Sequence, residues 1–150
     1  MRAVIQRVSE SEVIVSGETA SKIGRGILAL VAFSAADNDK TIEYMLNKIT
    51  GLRIFEDEHD KMNISLADIS GELLIVPNFT VYGDVRKGKR PSFIDSAPPD
   101  IAEEIFNRFV KYAKDTFGGK VESGVFRADM KVKIVNDGPV TVLIDSDKGF

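Results

Sequence analysis

The chain has no cysteine, no tryptophan and a single histidine among its 150 residues. Without cysteine there is no disulfide, no thiolate nucleophile and no cysteine-ligated zinc centre. The lone imidazole, His59, lies inside the acidic run Glu56-Asp57-Glu58-His59-Asp60, so no Ser-His or Cys-His pair can be assembled. It reads as an ordinary exposed loop residue. The same run lacks the spaced ligands and central glycine of a calcium loop. No metal and no cofactor are therefore expected. Long apolar stretches are also missing: the longest, Ile27-Leu28-Ala29-Leu30-Val31-Ala32-Phe33, is far shorter than the roughly 20 residues that cross a bilayer. Residues 1–8 contain no continuous apolar segment, so no signal peptide is expected, and the expectation is a soluble, cytoplasmic protein with no membrane partner.

A strong charge of one sign is absent too. Twenty basic and 23 acidic side chains leave a net charge of −3, which argues against a general duplex-DNA binder, whose affinity comes from neutralising phosphates. Basic residues do gather locally: Arg86, Lys87, Lys89 and Arg90 fall close together, between Tyr82 and Phe93. By charge alone such a run reads as a solvated loop.

What is present is enough apolar material for a core, at 43% of the chain, in a length that reads as one domain spanning residues 1–150. A chain of this size buries roughly 70% of its extended surface and needs no covalent staple. Residues 3–8 alternate as a strand, with residues 12–16 expected as its hairpin partner and Gly24-Arg25-Gly26 as a turn. That turn precedes a strand instead of joining strand to helix, so it builds no phosphate cradle. Residues 27–33 read as a strand buried on both faces. Ile42, Met45, Leu46 and Ile49 fall on one helical stripe, preceded by the capping candidates Asp37, Asn38 and Asp39 and ended by Gly51. A short strand at 52–55, an acidic loop at 56–63 and a buried strand at 73–76 follow, with Pro77 expected to interrupt the last ladder. Pro98 and Pro99 open a second helix whose stripe is Ile101, Ile105, Phe106, Phe109 and Val110, and Gly118-Gly119 stop it. Three further strands are expected at 121–126, 130–135 and 140–144. The pattern is α+β: about two main helices on a mixed or antiparallel, barrel-like sheet.

Two proline-bearing strand ends stand out. At Asn136-Asp137-Gly138-Pro139-Val140-Thr141, spacing alone favours a tight hairpin, since Asn-Asp-Gly is strong turn chemistry. The other reading is a stiff projection offering carbonyls to a ligand, because X-Pro bonds are where cis peptides occur. At Pro77-Asn78-Phe79-Thr80-Val81-Tyr82 the plain reading is an irregularity of an edge strand. The functional reading is that Thr80, with the backbone donors of Phe79 and Thr80, faces a pocket and holds a polarised carbonyl.

These motifs, with Ile5-Gln6-Arg7-Val8, Leu52-Arg53-Ile54-Phe55, Lys61-Met62-Asn63, Arg90-Pro91-Ser92-Phe93 and Phe126-x-Ala128-Asp129-Met130, resemble the D-aminoacyl-tRNA deacylases in order and spacing over essentially the whole chain. The resemblance implies a homodimeric hydrolase that cleaves the ester joining a D-amino acid, or mischarged glycine, to the tRNA 3′ end. It implies a cis Gly138-Pro139 peptide that enters the partner's active site and excludes L side chains, braced by Arg7 and Asn136. It further implies catalysis at Asn78, Phe79 and Thr80, assisted by the terminal 2′-hydroxyl, and 3′-end contacts from Phe126, Ala128, Met130, Lys87 and Arg90. Pro77-Asn78 departs from the Ser-Gln usual in that family. A tRNA-end binder without catalysis is the alternative.

Overall fold

The computed structural model describes residues 1–149. Its strands are β1 (Arg2–Val15), β2 (Glu18–Ile23), β3 (Gly26–Ala32), β4 (Phe55–Glu56), β5 (Met62–Ile64), β6 (Glu72–Pro77), β7 (Val121–Ser123) and β8 (Met130–Asp145); the helices are α1 (Asp39–Gly51) and α2 (Pro99–Thr116). A 3-10 turn, Phe79–Tyr82, follows β6. No helix among the described residues is long and apolar enough to cross a membrane.

β1 is the spine. One edge pairs with β8 from Arg2↔Asp145 to Val15↔Met130, and the other pairs first with β3 and then with β2. Residues 12–15 therefore continue β1 and are not its hairpin partner; the turn comes later, at Ser16 (φ 53°) and Gly17 (φ 86°). Two successive positive φ values match the right-handed twist of a two-residue hairpin. β3, β6 and β7 run parallel, so the sheet is mixed. It curls until it is nearly closed as a barrel, with Lys120 Nζ donating to Lys22 O (2.8 Å) and Gly24 N–H to a Glu72 carboxylate oxygen (2.9 Å).

The curl explains why β3 is apolar throughout. Ile27, Ala29 and Val31 face α1 and α2, whereas Leu28 joins Val8, Val13, Ile23, Leu74 and Val76 inside the curl. In α1 the expected stripe is buried, and Asn38 caps the helix by accepting from Lys40 N–H and Thr41 N–H. In α2 the stripe is Ala102, Ile105, Phe106, Phe109 and Ala113. Ile101 is exposed, because the helix is rotated to place Ala102 against the core. Phe33 meets Phe106 and Phe109 edge-on, at centroid distances of 6.2 and 6.4 Å. Burying a phenyl of this kind contributes roughly 1.5–3 kcal/mol.

Other differences from the sequence expectation concern lengths. The strand expected at 121–126 ends at Ser123, and that expected at 52–55 begins only at Phe55. Pro77 does not interrupt the β3 ladder: Asn78 N–H donates to Val31 O at 2.7 Å, on the β3 side. N–H groups alternate along a strand, and Leu73 N–H points to Lys120 O, so the missing proline donor faces the β7 side past the end of β7.

Candidate active site

The expected hairpin at residues 136–141 is not there. Both halves of β8 pair with β1 in the same direction, and the register jumps from Val8↔Asn136 to Gln6↔Thr141. Arg7 alone therefore faces Asp137, Gly138, Pro139 and Val140, which leave the ladder as a loop. Asn136 closes its neck: Nδ2 donates to Arg7 O at 2.9 Å and to Val140 O at 3.0 Å. Arg7 fills its base. This guanidinium is 6% exposed; Nη1 donates to Ile54 O at 2.7 Å and Nε donates to Asp137 O at 3.3 Å. It also pairs with the Asp137 carboxylate at 3.2 Å and with Glu56 at 3.6 Å. The planar fork suits such a task, since its donors point in fixed and different directions. At the tip the Gly138-Pro139 peptide is cis, Gly138 has φ +116°, and both residues are exposed.

The second motif lies at the end of β6. Asn78 is extended and caps the 3-10 turn, its Oδ1 accepting from Thr80 N–H (3.2 Å) and from the Thr80 hydroxyl (2.6 Å). Phe79 is 58% exposed and meets Phe93 edge-on at 5.1 Å. Tyr82 ends the turn in the interior, with the Arg2 guanidinium 4.6 Å from its ring centroid. Burial foremost, and then Asp37 and Asp145, push the Tyr82 phenol well above its ordinary value. Its hydroxyl has no hydrogen-bond partner among the described residues.

A mostly apolar cavity of about 760 Å³ opens beside this turn. It brings Asn78 and Phe79 together with Phe126, Ala128 and Met130, and the sequence-distant Phe33, Pro98 and Ala102 complete its walls. Thr80 follows on the same turn and is exposed, but it does not itself line the cavity, contrary to the expectation that it faces a pocket. Gly138, Pro139, Arg7 and Asn136 do not line this cavity within the chain. Lys87 and Arg90 are exposed on a loop closed by the Asp84–Ser92 bridge. Arg86, on the same loop, is committed to Asp84 at 2.9 and 2.8 Å, which lowers the Asp84 carboxyl to about 2. His59 is 73% exposed, beside Glu58.

Residues 4–145 match the family model described as D-Tyr-tRNA(Tyr) deacylase. The chain belongs to this family. It is 55% identical over 150 residues to a D-aminoacyl-tRNA deacylase of Thermosipho africanus and 53% identical to one of Clostridioides difficile, with all of each chain covered. A solved structure described as "c-Myc DNA Unwinding Element Binding Protein" superposes with a TM-score of 0.92 at 41% identity, covering 97% of this chain and 98% of the other. A "probable eukaryotic D-amino acid tRNA deacylase" shares the fold, with a TM-score of 0.81 at 19% identity over 95% and 97% of the two chains.

Sequence reading missed some residues around this candidate site of the deacylase-family chain. Arg127 borders the cavity at φ +62° and pairs with Asp100 and Glu103 at the start of α2, joining two cavity walls. Its place in the motif is the variable one, so nothing marks it locally. The carboxylate partners of Arg7, Glu56 and Asp137, are likewise visible only once β4 and the loop converge.

Proposed function

We propose that this enzyme hydrolyses the ester of D-aminoacyl-tRNA, and of glycine mischarged on tRNA, as a homodimer in the cytoplasm. Each Gly138-Pro139 tip enters the partner's cavity beside Asn78, Phe79 and Thr80. The observation that carries the reading is the separation of two well-formed parts. A loop held at base and neck presents an exposed tip, and the apolar cavity next to the 3-10 turn is not lined by that tip. β8, which carries the loop, also exposes Ile134, Val135 and Leu143, apolar surface suited to a second copy.

The chemistry then follows from what the chain contains. The aminoacyl ester is an activated bond, and the terminal 2′-hydroxyl of the RNA helps activate water, so no strong protein base is needed. Positioning supplies much of the barrier lowering. Carbonyls of a stiff tip beside the substrate α-carbon leave room for hydrogen but not for an L side chain. Selection thus works by a clash with the wrong enantiomer, and varied D side chains, pointing elsewhere, are tolerated. Glycine, with hydrogen on both sides, passes the same filter. Phe126, Ala128 and Met130 contact the 3′ end inside the cavity, while Lys87 and Arg90 approach its backbone. Clearing such esters is quality control in translation.

The test is release of amino acid from D-Tyr-tRNA and L-Tyr-tRNA in parallel. Rapid release from the D ester alone is expected. Equal release from both, or from neither, refutes the reading, and a binder without catalysis would protect the ester from spontaneous hydrolysis.

A further inference from the structure

We infer that Asn78 is a positioning residue that fixes the direction of the Thr80 hydroxyl proton, so that Thr80 meets the substrate as a hydrogen-bond acceptor. The inference rests on the deacylase reading of the site and assigns Thr80 a different part from nucleophile or oxyanion donor.

A carboxamide oxygen carries no proton, so in the 2.6 Å contact with Asn78 Oδ1 the Thr80 hydroxyl must be the donor. A hydroxyl has one proton and two lone pairs; with its proton committed, it offers the substrate lone pairs alone. The second bond of the same oxygen, from Thr80 N–H at 3.2 Å, holds the carboxamide over the turn, so its oxygen stays within reach of the hydroxyl. Asparagine suits this because its oxygen reaches the N–H two residues on, the Asx-turn geometry. The other N–H groups are also spoken for: Asn78 N–H donates to Val31 O and Val81 N–H to Asn78 O. Phe79 N–H has no acceptor among the described residues, so it is the donor left for a developing oxyanion. The turn thus presents one donor, Phe79 N–H, and one acceptor, Thr80 Oγ1. The acceptor takes an ammonium or hydroxyl proton of the aminoacyl-ester end.

The experiment compares Asn78→Ala, Thr80→Val, the double variant and Thr80→Ser by steady-state deacylation of D-Tyr-tRNA, with kcat and KM for each and amide exchange of Thr80. Asn78→Ala and Thr80→Val should each lower kcat roughly tenfold with KM little changed, the equivalent of about 1.4 kcal/mol. The double variant should be no slower than Thr80→Val alone, because both changes remove one unit. Thr80→Ser should recover rate that Thr80→Val loses. Multiplying losses in the double variant, or an unaltered kcat in Asn78→Ala, overturn the assignment. If the unmodified chain clears neither enantiomer, the deacylase reading fails instead. Thr80 amide exchange still decides whether the Asn78 oxygen is held on the turn: slow exchange lost in Asn78→Ala supports the assignment, and fast exchange in the unmodified chain overturns it.

Discussion

Gly138→Ala probes the loop at its tip, where backbone and surroundings both oppose a side chain. A methyl there would stand 2.8 Å from Val140 Cγ2, 3.0 Å from Arg7 Nη2 and 3.0 Å from Val140 N. The valine methyl can rotate away. The backbone nitrogen cannot, and the guanidinium is tethered through Nη1 to Ile54 O and through Nε to Asp137 O. The φ of +116° adds strain for any residue with a Cβ. Such a conformation costs of order 1–3 kcal/mol in a non-glycine residue. Because the loop is exposed, relief comes from shifting its tip and not from unfolding β8. The expected loss of about 2 kcal/mol is well inside the 5–15 kcal/mol that a native domain commands. It should lower Tm by roughly 4–8 °C in a chain of this size, measured at fixed protein concentration. Deacylation should suffer more than stability: on the proposed reading, in which the tip guards the substrate α-carbon, the D-to-L rate ratio should collapse by about tenfold or more. Unchanged Tm together with an unchanged D-to-L ratio would refute the reasoning at both levels.

Arg7→Lys keeps the charge but replaces a fork by a single nitrogen, losing at least one buried charged hydrogen bond, so it should destabilise by about 2 kcal/mol in urea unfolding. Combined with Gly138→Ala it should cost less than the sum, because Arg7 Nη2 is one of the atoms the new methyl would strike. Tyr82→Phe removes a buried hydroxyl that has no partner among the described residues, and at neutral pH the variant should be at least as stable as the unmodified chain. The folded phenol holds its proton above the pH of about 10 at which the unfolded one releases it, so its contribution is full below that pH and declines as pH rises. Tyr82→Phe should therefore show a flatter alkaline stability profile; parallel profiles would count against the interior placement of Tyr82. Asp84 is lowered to about 2 by Arg86, so the ordering it lends to the 84–92 loop should be present above pH 4 and fade between about pH 4 and 2. Loop amide exchange against pH checks this, and Arg86→Gln should move the transition to higher pH.

Much of the fold was legible because its signals are local. The α1 stripe needs only helical spacing, and the asparagine cap needs only its neighbours. The double burial of β3 shows in an unbroken apolar run. Where local signals mislead, a partner distant in sequence has intervened. Ser9, Glu10 and Ser11 look like the end of a strand, yet β1 runs on through them: a bulge between Val8 and Glu10 re-aims the chain, and the buried Ser11 hydroxyl donates to Lys133 O. Ile101 has the right spacing for the α2 stripe but lies outside it, since the packing of Ala102 and Phe106 sets the rotation of the helix.

The order of motifs along the chain, by itself, determined the family, the α+β composition and which residues had to be chemically interesting, because residue types and their spacing are one-dimensional facts. It could not decide between a hairpin and a held loop at residues 136–141, since Asn-Asp-Gly suits both. That choice belongs to β1, more than a hundred residues away in sequence, whose ladder takes up both halves of β8 and leaves Arg7 to anchor what lies between. Where the 3-10 turn sits is likewise a tertiary matter: the contact between Asn78 and Thr80 is local, but Asn78 N–H donating to Val31 O anchors it at the point where β6 ends against β3.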